Sequence, residues 1–468
     1  MLLRTAGFAV LALALALPRA ALATPASTAP LPASARATCA TAMAKLCAAK
    51  QYNPGDCFVC LGDNQNVLKA AGCTASDFDS FCDPPPVPHH DCTTNLDCNW
   101  AGRCTVGRFG SRVCFCDTGW WGQHCEEIKF GVSERCGSGG MCLQGEQGFT
   151  STWGGEAVQA DDESWHLFAA GFAQNSNLSS WLQQSRVLHG HSSHGPQGPY
   201  SFVDVTLGSR SLSYWDGLTQ HNPAVQRAAD GTYLLFYMGS TQSPSAANVS
   251  GGVRACALHP RQNVSVCRQR IGLATAQSPA GPWLRKAEPI LDVGPAGAWD
   301  GLFTTNPTPH AFANGSVLLI YKARSVEDPS KMFTGAAFAE HYLGPYTRLS
   351  ARPINVSTTC EDAGIYYSSL VKVFRMVLHC GCSYQYLWSL DGVNWERTTP
   401  SVPWCNITYA DGSTELLQRR ERPKWVIDPR TGYPVAMLNG VMPSSSHEGG
   451  SFTLATKIDW RTADTPLG

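Results

Sequence analysis

The sequence predicts an all-β fold, a five-bladed β-propeller, preceded by two small disulfide-rich modules. One observation is a repeat: the pattern Trp-Asp-Gly-Leu-x-x-x-Asn-Pro occupies residues 215–223 and returns at 299–307, which indicates copies of one supersecondary unit. Another is that each copy continues through a hairpin turn into a run that is apolar on both faces, at 233–237 and 317–321. Such runs are typical of strands buried between neighbouring sheets, as in a propeller.

A Gly-Pro-aromatic tripeptide marks the blades, because its tight turn lets the aromatic ring pack back onto its own sheet. It occurs at 198–200, 281–283 and 344–346, with a variant at 389–395. A last sheet is predicted from the apolar segments between 425 and 455. We therefore predict five blades within residues 150–460, and we expect them to fold without residues 24–130.

Residues 1–23 have the pattern of a secretory signal peptide, with Arg4, an apolar core and a small-x-small cleavage site. The alternative is a membrane anchor, but the apolar run is shorter than the roughly 20 residues that span a bilayer. The 20 cysteines of the chain favour an oxidising compartment, and its net charge of −1 gives no electrostatic basis for binding nucleic acid. We expect a secreted, extracellular protein without a membrane span.

Two groups of six cysteines precede the propeller. The first, in residues 39–82, spans too little chain for an apolar core, so we predict three disulfides and some helix. Its Cys57-x-x-Cys60 has the spacing of half a zinc site, but neither a second pair nor a histidine lies nearby. The second, in residues 92–125, resembles an epidermal-growth-factor-like (EGF-like) domain through its closing Cys-x-Cys-Asp-Thr-Gly-Trp-Trp-Gly-Gln-His-Cys. That resemblance implies an extracellular protein partner and the pairs Cys92–Cys104, Cys98–Cys114 and Cys116–Cys125.

Further cysteines and sequons lie in the propeller region. Cys256 and Cys267 are predicted to pair within a surface insertion, and Cys136 with Cys142. Four others allow three connectivities, among which the sequence does not choose: Cys360, Cys380, Cys382 and Cys405. Six Asn-x-Ser/Thr sequons predict a glycosylated surface: Asn177, Asn248, Asn263, Asn314, Asn355 and Asn406.

The innermost strands of a propeller line a central channel, so residues at equivalent places in successive blades are candidates for one site. Acid–base chemistry at such a site needs one protonated and one ionised carboxyl group, and crowded carboxylates separate their pKa values in this way. The candidate catalytic residues are Asp216, Asp300, Glu361, Asp362 and Glu421. The candidate substrate-binding residues are Trp215, His221, Trp299, His310, His379 and Arg422. The alternative for Asp216 and Asp300 is that they brace their own loops.

This constellation resembles the five-bladed propeller glycoside hydrolases of the arabinanase, xylosidase and invertase group, over residues 150–460. The resemblance implies an enzyme that hydrolyses an extracellular or cell-wall polysaccharide, with Glu361 as the general acid and Asp300 tuning the base. It also implies a base in blade one, where this chain has Gly154-Gly155 and the nearest acid is Glu156. A non-catalytic carbohydrate-binding or matrix-adhesion protein is the alternative. We predict no cofactor and no metal.

Overall fold

The computed structural model describes most of the two disulfide-rich modules and of the propeller. It divides the chain into two compact units, Met1–Pro88 and His89–Gly468, which we describe separately. The described residues are 33–47, 54–82, 92–106, 112–117, 119–133, 149, 151–241, 268–369, 371–398, 401–444 and 450–458.

The first unit is helical and is held by three disulfides. Its helices are α1 (Ala33–Cys47), α2 (Pro54–Asp63), α3 (Gln65–Ala70) and α4 (Ala75–Cys82). The disulfides confirm the prediction and place Cys57 and Cys60 in different pairs, so these two thiols are not available to a metal. The pairs are Cys39–Cys73, Cys47–Cys60 and Cys57–Cys82.

The second unit begins with short strands and a 3₁₀ helix, Asn95–Cys98. The three disulfides Cys92–Cys104, Cys98–Cys114 and Cys116–Cys125 form as the sequence resemblance implied. Strands β1 and β2 pair with each other, as do β3 and β4. The strands are β1 (Gly102–Val106), β2 (Arg112–Cys116), β3 (Trp120–Trp121), β4 (Glu127–Ile128) and β5 (Phe130–Ser133).

Five antiparallel sheets then follow one another and form the predicted propeller. Blade one contains β6 (Thr152–Gln159), β7 (Trp165–Phe172), β8 (Ser185–Ser192) and β9 (Ser201–Leu207), with a 3₁₀ helix (Leu178–Ser180) and α5 (Trp181–Gln184) between β7 and β8. Blade two contains β10 (Thr219–Arg227), β11 (Tyr233–Ser240), β12 (Arg270–Ala276) and β13 (Leu284–Arg285). Blade three contains β14 (Phe303–Ala311), β15 (Val317–Arg324), β16 (Phe333–Ala339) and β17 (Thr347–Arg348). Blade four contains β18 (Glu361–Ser368), β19 (Val373–His379), β20 (Ser383–Ser389), β21 (Glu396–Arg397) and β22 (Val402–Pro403); blade five contains β23 (Asn406–Thr408), β24 (Thr414–Ile427), β25 (Pro434–Pro443) and β26 (Phe452–Ile458).

The ring is closed by a strand that precedes blade one in the sequence. Strand β5 pairs antiparallel with β26, with Ser133 opposite Thr456 and Phe130 opposite Ile458. The hydroxyls of Ser133 and Thr456 are also hydrogen-bonded at 2.9 Å. Blade five is therefore completed by residues that lie before the predicted boundary at residue 150.

The cysteine-rich segment 92–133 also packs against blades four and five. Trp120 is 2% exposed, and its ring lies 4.2 Å from that of Tyr386. Arg375 donates to Asp117 at 2.8 Å and to the Trp100 carbonyl at 2.6 Å. These buried contacts lead us to revise the expectation that the propeller folds without the residues before it.

The four propeller cysteines for which the sequence left three pairings open form the disulfides Cys360–Cys380 and Cys382–Cys405. The predicted signal peptide and the predicted pairs Cys136–Cys142 and Cys256–Cys267 lie outside the described residues. Four sequons are described, and Asn248 and Asn263 are not. Within the described part of the chain, no helix combines the length and apolarity that crossing a membrane requires.

Candidate active site

The innermost strand of every blade carries a β-bulge at the same place. At each bulge one residue has a left-handed backbone, which re-aims the neighbouring side chains. Two of the five are the asparagines of the repeated Asn-Pro motif, and the other three share the conformation without the motif. They are Gly154, Asn222, Asn306, Asp362 and Arg422, with φ of 58°, 50°, 52°, 58° and 58°.

These bulges surround a cavity of about 710 Å³. The residue before each bulge lines it, and so do four of the five bulge residues, Gly154 being the exception. The wall is completed by the segment 178–183 of blade one and by basic side chains of blades three and five. The residues before the bulges are Trp153, His221, Thr305, Glu361 and Glu421.

The four bulge residues with side chains are linked in a ring. Asn222 Nδ2 donates to Asn306 Oδ1 at 2.5 Å, and Asn306 Nδ2 donates to Asp362 Oδ1. Arg422 Nη1 lies 3.6 Å from Asp362 Oδ1, and Arg422 Nη2 donates to the Asn222 carbonyl at 3.4 Å. The ring therefore fixes one carboxylate and one guanidinium at the floor of the cavity.

In the described part of the chain three carboxylates reach the cavity, those of Glu361, Asp362 and Glu421, and each has a basic partner. Lys322 forms an ion pair with Glu361 and lies 3.6 Å from Asp362. Arg419 donates to Glu421 at 2.7 Å. The side chains of Glu361 and Glu421 are 23% and 13% exposed, so both are accessible to a ligand.

Asp362 is ionised in this setting. Burial by itself would raise the pKa of Asp362, but the charges of Lys322 and Arg422 outweigh it and lower the pKa well below its usual range. The same interaction acts on the other partner: burial would lower the pKa of Lys322, and Asp362 and Glu361 raise it instead. Asp362 therefore carries a fixed negative charge, and Lys322 a fixed positive charge, beside Glu361.

Glu361, Asp362 and His379 together offer donor atoms of the kind that could bind a divalent cation. Carboxylate oxygens of Glu361 and Asp362 and a ring nitrogen of His379 lie within 4.8 Å of one another. The Lys322 ammonium, however, contacts the first carboxylate and lies 3.6 Å from the second. Lys322 thus already supplies a positive charge to the carboxylates of Glu361 and Asp362.

Blade one brings no carboxylate to the cavity. A Cβ atom at Gly154 would lie 3.1 Å from the Arg422 Cβ, so a side chain there would crowd the arginine. Glu156 is 5% exposed and accepts hydrogen bonds from the Val225 amide and from Gln226. Burial raises the pKa of Glu156 to about 7 against the opposing charge of Lys424, and neither side chain lines the cavity.

Asp216 and Asp300 lie outside the cavity and brace their loops. Asp216 is fully buried and accepts from Arg210 Nε at 2.7 Å and from the Tyr237 hydroxyl at 2.8 Å. Asp300 accepts from Arg348 Nε at 2.5 Å and from the Tyr321 hydroxyl at 3.1 Å. We therefore revise the expectation that these two aspartates act on a substrate.

The predicted binding residues are divided between the cavity and the core. Trp215 and Trp299 stack on Tyr237 and Tyr321, with ring centroids 5.9 and 5.8 Å apart, and do not line the cavity. His310 packs against Phe312, Tyr367 and Phe374 and is likewise outside it. The sequence predicts that these three side chains bind substrate; the structure instead places them in the packed interior of the blades.

The other three predicted binding residues are at the site. His221 and Arg422 line the cavity, and the His221 ring stacks on Trp181 at 5.1 Å and is hydrogen-bonded to Ser185 at 2.7 Å. Burial lowers the pKa of His221 well below its ordinary value, so the ring is neutral. His379 lies 4.0 Å from Glu421, behind the wall.

Several cavity residues were not predicted from the sequence, among them Lys322, Arg324, Trp181 and Arg419. Lys322 and Arg324 lie at the end of strand β15, after an apolar run that we read as buried on both faces. Alternation along the strand places both side chains on the same face, and this was the signal that could have identified them. Trp181 follows a sequon in a segment with no repeat counterpart. Arg419 directly precedes Arg420-Glu421-Arg422 and could have been included with that charged run.

Comparison with known proteins places the fold. No protein-family profile and no curated protein matches the sequence. A family 117 glycoside hydrolase of the marine bacterium Zobellia galactanivorans superposes with a TM-score of 0.50 at 15% identity, over 73% of this chain and 92% of that one. The α-L-arabinofuranosidase of Podospora anserina (TM-score 0.45, 10% identity, 70% and 96% covered) and an endo-arabinase of Bacteroides thetaiotaomicron (0.42, 12%, 70% and 96%) are more distant. At these identities the shared feature is the five-bladed propeller fold.

Proposed function

We propose that the propeller is a glycoside hydrolase whose site is the cavity at the five bulges. The observation that carries the proposal is that Glu361 and Glu421, from adjacent blades, both reach this cavity beside the aromatic rings of Trp153 and Trp181. Aromatic rings offer sugars a stacking surface, and two carboxyl groups are what glycosidic cleavage requires. The fold shared with a glycoside hydrolase supports the proposal by analogy.

In the proposed mechanism Glu361 donates a proton to the leaving oxygen of the glycosidic bond. Glu421, which accepts a hydrogen bond from Arg419, activates a water molecule or attacks the sugar directly. The bond between the anomeric carbon and the leaving oxygen breaks, the leaving oxygen keeps the proton of Glu361, and water supplies the hydroxyl of the new reducing end.

Lys322 is the residue that a bound glycan has to displace in this proposal. Its ammonium contacts Glu361 and lies 3.6 Å from Asp362. A glycan whose leaving oxygen occupies the space beside Glu361 would leave Lys322 paired with Asp362 alone.

We further propose that the protein is secreted and glycosylated and acts on an extracellular or cell-wall polysaccharide. Support comes from the signal-like residues 1–23, from the sequons and from the disulfides of both units. Residues 92–125, which resemble an EGF-like domain, form the surface we propose for an extracellular protein partner.

Carbohydrate binding without hydrolysis is the second candidate, and two specific observations favour it. Blade one supplies Gly154 instead of an acid, and each cavity carboxylate has a cationic partner. The cavity would then recognise a glycan and leave its bonds intact.

One experiment separates the two candidates. Plant, algal and animal polysaccharides and aryl glycosides are screened with the full chain for binding and for new reducing ends. We expect turnover that falls about 10²–10⁴-fold in Glu361→Gln, the usual contribution of a general acid, with sugar affinity retained. Binding without turnover on every substrate would support the second candidate instead.

A further inference from the structure

Arg324 is the one basic side chain of the cavity wall that has no carboxylate in contact, as far as the described residues show. Four basic side chains line the cavity: Lys322, Arg324, Arg419 and Arg422. Three of them face Glu361, Glu421 or Asp362 at 4.0 Å or less. Among the described residues, the wall therefore carries one more cation than carboxylates, and the excess is located at Arg324.

The guanidinium of Arg324 is held in place by neutral groups. Its Nη1 donates to the Pro329 carbonyl at 2.8 Å and its Nε contacts Met332 Sδ at 2.9 Å. Its central carbon lies 5.8 Å from the ring centre of Phe303. Met332 and Phe303 themselves line the cavity, so the cation has a fixed position on an apolar part of the wall.

The fold does not require a cation at this position. In the repeat register that aligns Tyr237 with Tyr321, blade two has Met238 and Ser240 where blade three has Lys322 and Arg324. Both copies form the same second strand of a blade. The two basic residues are therefore a property of the cavity and not of the blade.

We propose that the glycan bound in this cavity carries an acidic substituent, a carboxylate or a sulfate ester, that pairs with Arg324. The planar fork of a guanidinium matches both oxyanions, and a charge-assisted pair is stronger and more directional than a neutral hydrogen bond. The inference rests on the proposed function only in taking the cavity as the glycan site.

The electrostatic setting agrees with this assignment. Burial lowers the pKa of Arg324, and Glu361 raises it only in part, so the cation is partly desolvated and incompletely compensated. An anion that displaced the remaining water would offset that cost. The nearby carboxylates oppose such an anion weakly because Lys322, Arg419 and Arg422 already neutralise them.

The test compares acidic and neutral sugars of the same skeleton on the full chain. The probes are galacturonate, glucuronate and galactose 6-sulfate, with galactose and glucose as neutral partners and sodium sulfate as an anion without a sugar. Dissociation constants are measured by ligand-observed NMR in wild type, Arg324→Gln, Arg324→Lys and Arg430→Gln. Arg430 is the matched control because its side chain is 79% exposed in the turn between β24 and β25.

We expect at least one acidic sugar to bind about tenfold to a hundredfold more tightly than its neutral partner, the range for a hydrogen bond to a charged group. Arg324→Gln should remove that preference, Arg324→Lys should retain part of it, and Arg430→Gln should leave it unchanged. Whether uronates or the sulfate show the preference identifies the oxyanion. Using the ratio within each variant cancels any general loosening of the loop at Pro329.

Three results would overturn the inference: equal affinity for acidic and neutral sugars, a preference that persists in Arg324→Gln, or sodium sulfate binding as tightly as the sulfated sugar. Failure of the proposed hydrolysis looks different. An acid preference that depends on Arg324 without turnover would support the inference and reject hydrolysis, whereas turnover of neutral glycans with no acid preference would do the reverse.

Discussion

Replacing Asp117 with alanine should destabilise the whole propeller, although this residue belongs to the cysteine-rich segment. Asp117 is the only carboxylate in contact with Arg375 among the described residues, and the Arg375 side chain is 2% exposed. Breaking a buried ion pair by removing one partner costs about 3–5 kcal/mol, because a charge is left uncompensated. Arg375 keeps the Trp100 carbonyl and the Tyr366 hydroxyl, so we expect the lower end, about 3 kcal/mol.

The assay is equilibrium urea unfolding of residues 89–468, followed by tryptophan fluorescence with the disulfides intact. One transition is expected, shifted to lower urea in Asp117→Ala and partly restored by adding Arg375→Met, which removes the stranded charge. Asp161→Ala is the control, since its partner Arg227 is at the surface and the Asp161 side chain is 80% exposed. A loss in Asp117→Ala no larger than in the control, or a separate early transition of the cysteine-rich segment, would show that Asp117 does not stabilise the propeller through Arg375.

Three further predictions concern buried charges. Burial lowers the pKa of His310 from 6.5 to about 4. Between these pH values the unfolded chain binds a proton that the folded chain does not. The free energy of unfolding should therefore fall by about 3 kcal/mol as pH drops from 6.5 to 4. His310→Gln should flatten that part of the urea-midpoint profile, and an unchanged slope would contradict this. Glu156→Gln should destabilise the propeller, because the buried Lys424 would lose the nearby negative charge that opposes its desolvation, and Lys424→Met should recover part of the loss in the double variant; additive losses would argue against coupling of the two groups. Lys322→Met should destabilise the propeller, because it removes the cation that contacts Glu361 and lies 3.6 Å from the buried Asp362, and a urea midpoint equal to that of wild type would contradict this.

The fold was predictable because its signals are local and repeated. The Trp-Asp-Gly-Leu-x-x-x-Asn-Pro motif, the hairpin turns and the Gly-Pro-aromatic tripeptides each specify one part of a blade. The structure confirms the five predicted blades. The closing strand β5 was not predictable in the same way. Its sequence, Phe-Gly-Val-Ser, is short and has no counterpart in the repeat, and its partner β26 is more than 300 residues later.

The site was predictable only in part, for a different physical reason. Asn-Pro reveals two of the five bulges, whereas Gly154, Asp362 and Arg422 adopt the same left-handed backbone without a shared motif. Whether a repeated aspartate braces a loop or faces a ligand depends on partners far away in the sequence. Asp300, for example, accepts a hydrogen bond from Arg348, which lies 48 residues later in the sequence.

In the proposed function Glu361 protonates the leaving group of a glycoside bound in the bulge cavity. The most direct test is the ratio of wild-type to Glu361→Gln turnover on two aryl glycosides of one sugar, a phenyl glycoside and a dinitrophenyl glycoside. The dinitrophenolate leaves without a proton, so we expect a ratio of about 10²–10⁴ for the phenyl glycoside and a ratio near one for the dinitrophenyl glycoside. Equal ratios for the two substrates would contradict proton donation by Glu361.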